Sequence, residues 1–171
     1  MARREHEIVH RTRPITGLTE FPNLAETLPG REPDAGAPRV RRYGASFEAL
    51  RDEPVAAPVF LATMGTVAAH TARATFAANL LAAGGIAVEV AGPTSGVEVV
   101  LAAYDGQAVA CLGGPDPAYA EWGAALVTAL RDAGATWVVV AGKPGDLGVD
   151  DAAAQGIDAL TFLNRTREHL A

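Results

Sequence analysis

From residue 54 onward, hydrophobic residues alternate between short continuous runs and longer stretches with helical spacing. The continuous runs predict five buried strands at Val59–Thr63, Ile86–Ala91, Ala108–Leu112, Thr136–Ala141 and Ala159–Leu163. The other stretches predict helices over Val67–Ala83, Ser95–Ala103, Asp116–Ala133, Val149–Gln155 and Asn164–Leu170. The N-caps expected for three of these helices are Ser95, Asp116 and Asn164. The stops expected for several of them are the glycines Gly84, Gly85, Gly134 and Gly156.

The alternation of strand and helix has a direct consequence for the fold. Continuous apolar strands joined by helices are typical of a parallel sheet that is covered on both faces. The crossovers in such a sheet are right-handed, and a five-strand unit of this size most often has the order 2-1-3-4-5. We therefore predict a doubly wound α/β domain of flavodoxin-like type over residues 54–171. A ligand of such a domain would bind beyond the carboxyl ends of the strands.

Residues 1–53 have a different character, and we predict that they form an extended, basic, proline-rich arm. Prolines recur along this region, and each removes a backbone donor and favours an extended neighbour. One helical turn is expected at Ser46–Arg51, and Pro29–Pro38 is expected to be the loosest part. Residues 14–28 are predicted to be an association element, because their apolar side chains have no role in a self-contained domain. Those side chains are Ile15, Leu18, Phe21 and Leu24. Disorder of the isolated arm is the alternative.

Composition narrows the classes of partner. The net charge of −6 and the pI near 5.1 argue against nucleic acid and against anionic membrane surfaces. No stretch approaches the length of apolar residues that spans a membrane, and the basic start lacks the apolar region of a secretory signal. A single cysteine, Cys111, cannot form an internal disulfide, which predicts a cytoplasmic protein.

The loops that follow the strands carry no strong catalytic or cofactor motif. They contain neither GxGxxG nor GxxxxGK[ST], and no acidic cluster of the kind that accepts a phosphoryl group. No metal site is predicted, since His6 and His10 are a surface pair in the arm and one cysteine cannot complete a zinc set. Lys143 is either an anion contact at the sheet edge or a solvated loop lysine. Cys111 is interpreted as a buried apolar residue.

His70 is the candidate site residue of the domain. It lies near the start of the first predicted helix of the sheet domain, where a ligand-facing side chain projects. The alternative is a partly exposed or helix-capped histidine with a structural role. The position alone leaves both interpretations open.

Several stretches are more specific than these patterns: RTRPITGLTEFPNLAE, FLATMGTVAAHTARATFAANLLAAGGI, YAEWG and FLNRTREHL. In them, and over nearly its whole length, the chain resembles the small subunit of bacterial methylmalonyl-CoA mutase. The resemblance implies an isomerase in which a large catalytic subunit pairs with a homologous, non-catalytic small subunit. It implies that each subunit is an eight-stranded α/β barrel followed by a linker and a cobalamin-binding-type domain. Residues 1–53 would then be the end of the barrel and the linker.

The resemblance also implies where a corrinoid site would lie. Corrinoid-binding members carry D-x-H-x-x-G, in which the His ligates cobalt, the Asp orients it and the Gly admits the nucleotide tail. His70 falls at the ligand position, but Ala68 replaces the Asp and Arg73 replaces the Gly. The S-x-L after the third strand is replaced by Gly113-Gly114-Pro115, and the Gly-Gly after the fourth is reduced to Ala141-Gly142.

Three hypotheses follow for the function. The first is a non-catalytic partner of the large mutase subunit, in a heterodimer that interconverts methylmalonyl-CoA and succinyl-CoA. In that case adenosylcobalamin is held by the partner and no cofactor is expected in this chain. The second is a genuine cobalamin-binding domain that uses His70. The third is a stand-alone flavodoxin-like module that binds a small ligand.

Overall fold

The computed structural model describes residues 2–26 and 42–171. Its centre is a sheet of five parallel strands in the order β2-β1-β3-β4-β5, which confirms the predicted order and the α/β flavodoxin-like class. The strands are β1 (Val59–Thr63), β2 (Val88–Val90), β3 (Val109–Gly113), β4 (Trp137–Ala141) and β5 (Asp151–Ala153). The helices are α1 (Ala2–Val9), α2 (Ala45–Asp52), α3 (Val67–Ala83), α4 (Val97–Ala103), α5 (Asp116–Ala118), α6 (Ala124–Asp132) and α7 (Ala159–Glu168). A π-helical turn at Tyr119–Gly123 joins α5 to α6.

Alternate residues of each central strand face opposite layers of helices. Val59 and Leu61 of β1 pack in a buried cluster with α3 and α7, to which α1 and α2 also contribute. Phe60 and Ala62 of the same strand pack in a second cluster with α4 and α6. Both faces are apolar because both are covered, and this produces the continuous apolar runs seen in the sequence. The sheet therefore has two buried cores, one on each side.

The last third of the chain differs from the prediction. Asp151–Ala153 is a strand, although Val149–Gln155 was predicted to be a helix. Ala159–Glu168 is a helix, although Ala159–Leu163 was predicted to be a strand and Asn164 was predicted to start the helix. Asp158 is the actual N-cap, and its carboxylate accepts a hydrogen bond from the Thr161 N–H at 2.9 Å.

The physical reason for this error lies in how α7 is buried. Its buried side chains include Ala159, Phe162, Leu163 and Thr166, whose spacing of three and four residues places them on one helical face. The run Ala159–Leu163 is too short for periodicity to separate a strand from the start of a helix. β5 in turn has three residues, and pairing with β4 rather than its own composition makes it a strand.

The other predicted elements agree with the structure in part. β1 and α3 have the predicted bounds, and the predicted turn at Ser46–Arg51 lies inside α2. α4 begins at Val97 after Gly96, and no side chain caps it, so the prediction of Ser95 as its N-cap is wrong. The helix predicted from Asp116 is interrupted by the π-helical turn.

The described part of the arm packs on the domain. Leu18 is buried in the same cluster as β1 and α7, and Ile15 packs against that cluster. The prediction that both side chains have no role in the domain is therefore wrong. Phe21 and Leu24 of the predicted association element are 71% and 46% exposed. The predicted loose segment Pro29–Pro38 lies outside the described residues, and the boundary between residues 53 and 54 stays a prediction.

Candidate functional site

The point at which ligands bind in this fold is the gap between the carboxyl ends of β1 and β3, where the strand order reverses. Here the two strand ends lie in direct contact. The Met64 N–H donates to the Gly113 carbonyl at 2.9 Å, and the Met64 side chain is fully buried. A Cβ atom on Gly114 would lie 2.5 Å from the Met64 Cβ. The backbone of β3 therefore approaches β1 as closely as a glycine permits.

Two threonines join the loop after β2 to the end of β1. The Thr63 hydroxyl donates to the Gly92 carbonyl at 2.5 Å, and the Thr94 hydroxyl donates to the Thr63 carbonyl at 2.6 Å. The Thr94 N–H donates to the Gly65 carbonyl at 3.1 Å. Both threonine side chains are buried. These two hydroxyls are thus hydrogen-bonded to backbone carbonyls of the strand end and the loop.

Arg73 extends from α3 across the ends of β3 and β4. Its Nη1 donates to the Gly114 carbonyl at 2.9 Å, and its Nη2 donates to Asp116 Oδ1 at 2.5 Å. Its guanidinium carbon lies 5.0 Å from the centre of the Tyr119 ring, and a Cβ on Gly142 would lie 3.5 Å from it. Burial lowers the pKa of the Arg73 guanidinium, but its interactions with Asp116 and Tyr119 raise the pKa by more, so that it lies above its ordinary value.

Tyr119, at the start of the π-helical turn, ties two strand ends together. Its hydroxyl donates to the Ala141 carbonyl at 2.8 Å and lies 3.2 Å from the Leu112 carbonyl oxygen. It also accepts a hydrogen bond from the Gly114 N–H at 3.0 Å. Burial raises the pKa of the Tyr119 phenol. The Tyr119 hydroxyl therefore makes these hydrogen bonds as a neutral phenol.

His70, the predicted site residue, is on the first turn of α3 and is only 6% exposed. It is therefore more buried than the partly exposed histidine that was the structural alternative. Its Nδ1 lies 3.2 Å from the Gly65 carbonyl oxygen, a contact in which Nδ1 carries the proton. Ala68, two residues before His70 on the same helix, is exposed. The ring is thus held by a backbone carbonyl, where the corrinoid motif would use a carboxylate.

The other residues that the sequence analysis considered do not form a reactive group with His70. Lys143 is exposed in the loop after β4. Cys111 is buried inside β3, and burial raises the pKa of its thiol to about 12. The centres of the His6 and His10 rings lie 3.9 Å apart in the arm, with the ring planes tilted by 36°. Among residues 2–26 and 42–171, no group of three or more His, Cys, Asp or Glu side chains could hold a metal ion.

Sequence reasoning missed the role of Tyr119 and the contacts of Arg73. The stretch YAEWG, which contains Tyr119, was noticed only as part of the family resemblance. An aromatic residue at the start of a helix gives no signal of what its hydroxyl contacts. Arg73 was noticed for replacing a glycine, but its partners Gly114 and Asp116 are more than forty residues away along the chain.

The chain is similar to several curated proteins over nearly its whole length. It is 40% identical to the "Methylmalonyl-CoA mutase small subunit" of Streptomyces virginiae, over 99% of the chain and 30% of that protein. It is 42% identical to the "Probable methylmalonyl-CoA mutase small subunit" of Mycobacterium bovis and of Mycobacterium tuberculosis H37Rv, over 94% of the chain and 27% of each protein. The chain thus spans less than a third of their length, and no family model matches it.

These similarities confirm the family resemblance on which the sequence analysis drew. They cover the arm as well as the sheet domain, since 94–99% of the chain is aligned. Within the ranges that the structure describes, no helix combines the length and the hydropathy needed to cross a membrane.

Proposed function

We propose, from the similarity of nearly the whole chain to methylmalonyl-CoA mutase small subunits, that it acts as a non-catalytic partner in such a mutase. In this proposal a large subunit holds adenosylcobalamin and carries out the isomerisation of the thioester, and this chain contributes structure and contacts. The assembly is cytoplasmic, in keeping with a single buried thiol.

The observation that carries the non-catalytic part of the proposal is the position of Arg73. A corrinoid with its nucleotide tail needs an open channel beside α3, and a glycine at this position provides it in the corrinoid motif. Here the guanidinium of Arg73 lies over Tyr119 and against Gly142, and it donates to the Gly114 carbonyl. The side chains present therefore do not fit the group, and we derive no chemical step through it.

The state of the other reactive groups supports the same conclusion. Cys111 is a buried thiol at neutral pH, since its pKa is raised to about 12. His70 contacts a backbone carbonyl, and the described part of the structure gives it no hydrogen-bonded nucleophile or carboxylate. A histidine acting as a general base needs a second group within hydrogen-bond reach.

The exposed part of the arm is the surface that we assign to the partner. Phe21 is 71% exposed, yet its backbone N–H donates to Asn79 Oδ1 at 2.6 Å, and its φ of +51° is uncommon for a residue with a side chain. The aromatic ring is thus presented to solvent by a segment that is fixed to α3. Exposed aromatic residues of this kind are typical anchors of protein interfaces.

The experiment is co-expression with a large methylmalonyl-CoA mutase subunit, followed by affinity purification and size-exclusion chromatography. We expect an equimolar complex, and we expect Phe21→Ser with Leu24→Ser to weaken it by at least about tenfold. The matched control is Val99→Ser, which removes an apolar side chain that is 45% exposed on α4. Failure of the two chains to co-purify, or equal weakening by the control, would contradict the proposal.

The second candidate function, cobalamin binding through His70, has one observation in its favour. With the proton on Nδ1 donated to the Gly65 carbonyl, the neutral ring keeps a lone pair on Nε2, the nitrogen suited to a metal. Arg73 and the Met64–Gly114 contact stand against it, because both fill the space around that edge.

A further inference from the structure

A cavity of about 300 Å³ lies between the arm, α3 and the loop that joins β5 to α7. Residues 154–157 of that loop directly follow β5, so the cavity lies at the carboxyl end of the sheet, where α/β folds bind ligands. Its volume is at the lower end of the range of small-molecule sites. It is separate from the edge at β1 and β3, and no residue of the proposed corrinoid motif lines it.

A buried arginine lies in the wall of this cavity. The Arg11 side chain is only 8% exposed, and its guanidinium carbon lies 5.5 Å from the centre of the Phe76 ring. Its Nε donates to the Thr19 carbonyl at 3.1 Å, and its Nη2 donates to Glu20 Oε1 at 2.7 Å. Within the described residues, Nη1 makes no hydrogen bond. Arg11 also has a φ of +53°, and strain of this kind clusters at functional sites.

The negative partner of Arg11 is shared with a second donor. Glu20 Oε1 accepts from Arg11, and Glu20 Oε2 accepts from the side-chain amide of Asn79. Burial lowers the pKa of the Arg11 guanidinium, and although Glu20 raises it, the pKa stays below its ordinary value. The cation therefore has less compensation than it would have in water, and an additional anion would stabilise it.

The other walls supply further donors and an apolar surface. The backbone N–H groups of Gln155 and Gly156 have no acceptor among the residues that the structure describes. Gly156 has a φ of +82°, a conformation that turns the loop at the cavity. Phe76 and Leu80 of α3 line the opposite side. The cavity thus combines these loop donors, at two exposed residues, with an apolar wall, and the Glu20 carboxylate that pairs with Arg11 also lines it.

We propose that this cavity binds a small carboxylate with a short aliphatic tail. The carboxylate accepts from Nη1 of Arg11 and from the loop after β5, and the tail lies against Phe76 and Leu80. Arginine is suited to this because its planar donors match a carboxylate, and a charge-assisted hydrogen bond is about twice as strong as a neutral one. The site is independent of the mutase partnership.

The test uses the full chain, with butyrate as probe and butyramide as its uncharged isostere. Amide resonances would be followed by NMR during titration, with binding heats measured by calorimetry. We expect saturable binding of butyrate, the largest shifts at Gln155 and Gly156, and affinity for butyramide lower by at least about tenfold. Equal affinity for the two probes, or no saturable binding of butyrate at millimolar concentrations, would overturn the proposal.

Two variants place the binding in this cavity. Arg11→Lys keeps the charge but loses Nη1, and we expect at least about tenfold weaker binding, whereas Arg13→Lys in the same arm, whose side chain is 58% exposed, should bind as the wild type does. If Arg11→Lys does not fold, Ala154→Leu decides, since it fills the cavity and leaves the ion pair intact. Wild-type affinity in folded Ala154→Leu would contradict the proposal.

Discussion

The carboxyl edge of the sheet has two halves that differ in how they are filled. In the closed half, at the ends of β1, β3 and β4, the chain's own groups occupy the space: Met64 against Gly114, Tyr119 between two strand ends, and Arg73 over both. In the open half, at the end of β5, the arm and α3 enclose a cavity of about 300 Å³. One edge thus contains a site filled from within and a cavity with an incompletely paired arginine.

This difference shows that the two halves of one sheet edge are packed differently. The topological switch point lies in the closed half, where α/β sheets usually bind their ligands. The Arg73 side chain lies over the strand ends there, and the hydroxyls of Thr63 and Thr94 are hydrogen-bonded to backbone. The proposed carboxylate site lies at the other half, beside the cavity and Arg11. Function must be argued from the side chains at each position.

The largest effect is expected from breaking the closest contact of the closed half. Gly114→Ala would place a Cβ 2.5 Å from the Met64 Cβ and 3.1 Å from the Met64 carbonyl oxygen, both on buried groups. We expect a loss of about 3 kcal/mol in the free energy of unfolding, measured by urea denaturation. Gly96→Ala is the control, because its Cβ would meet only Glu98 Oε2 at 3.6 Å. Equal losses in the two variants would show that β1 and β3 are not packed this closely.

The next largest effect concerns the polar tie between β3 and β4. Tyr119→Phe leaves the Gly114 N–H and the Ala141 carbonyl without their shared partner. We therefore expect the free energy of unfolding, measured by urea denaturation, to fall by about 2 kcal/mol. The control is Tyr43→Phe, which removes the same hydroxyl from a tyrosine that is 37% exposed. It should lower the free energy of unfolding by less than about 0.5 kcal/mol.

The same variant has a distinctive pH dependence. A phenol with a raised pKa in the folded state contributes stability that is fully present below its unfolded pKa near 10 and is lost as pH rises above it. The free energy of unfolding of the wild type should therefore fall above about pH 10, and that of Tyr119→Phe should fall less steeply there. Burial also raises the pKa of Tyr104 and Cys111, but both remain in the variant, so the difference reports on Tyr119. Parallel pH profiles would contradict a buried neutral phenol.

A smaller loss of stability is expected from removing Arg73, the cation of the closed half. Arg73→Ala removes the hydrogen bonds to the Gly114 carbonyl and to Asp116, and we expect a loss of about 1 kcal/mol, because the side chain is 31% exposed. Arg131→Ala breaks the exposed pair with Asp150 and should cost less. Thermal denaturation of the two variants side by side would measure the difference. A larger loss for Arg131→Ala would show that Arg73 does not hold the strand ends.

The smallest effect is expected at the predicted site residue. His70→Gln can keep a donor toward the Gly65 carbonyl, and we expect a stability change within about 1 kcal/mol. Turnover of a reconstituted mutase complex should be nearly unchanged. A tenfold loss of turnover with the complex still assembled would give His70 a chemical role and would favour the second candidate function.

The fold was predicted well where the sequence pattern is long or strongly biased. β1 and α3 have the predicted bounds, and the β-branched run of β4 identified that strand to within one residue. The pattern failed at β5, where Asp151–Ala153 has no β-branched residue and is defined by pairing with its neighbour. It failed at α7 because the apolar start of that helix is as short as a strand.

The candidate site was predicted only in part, for a related reason. His70 was singled out by its position near the start of the first predicted helix of the sheet domain, and the structure places it on the first turn of α3. The contact between Met64 and Gly114 and the tie made by Tyr119 join groups that are far apart in the chain. Such contacts depend on how the layers pack, and neither the local pattern nor composition contains that information.

The central claim is that the closed half excludes cobalamin, and titration of the purified chain with hydroxocobalamin tests it most directly. The absorption spectrum and the binding heat should remain those of the free corrinoid. Ala68→Asp with Arg73→Gly, which restores the corrinoid motif around His70, is the comparison that should bind more tightly than the wild type. Wild-type binding at micromolar affinity, with a spectral change that is lost in His70→Gln, would contradict the account.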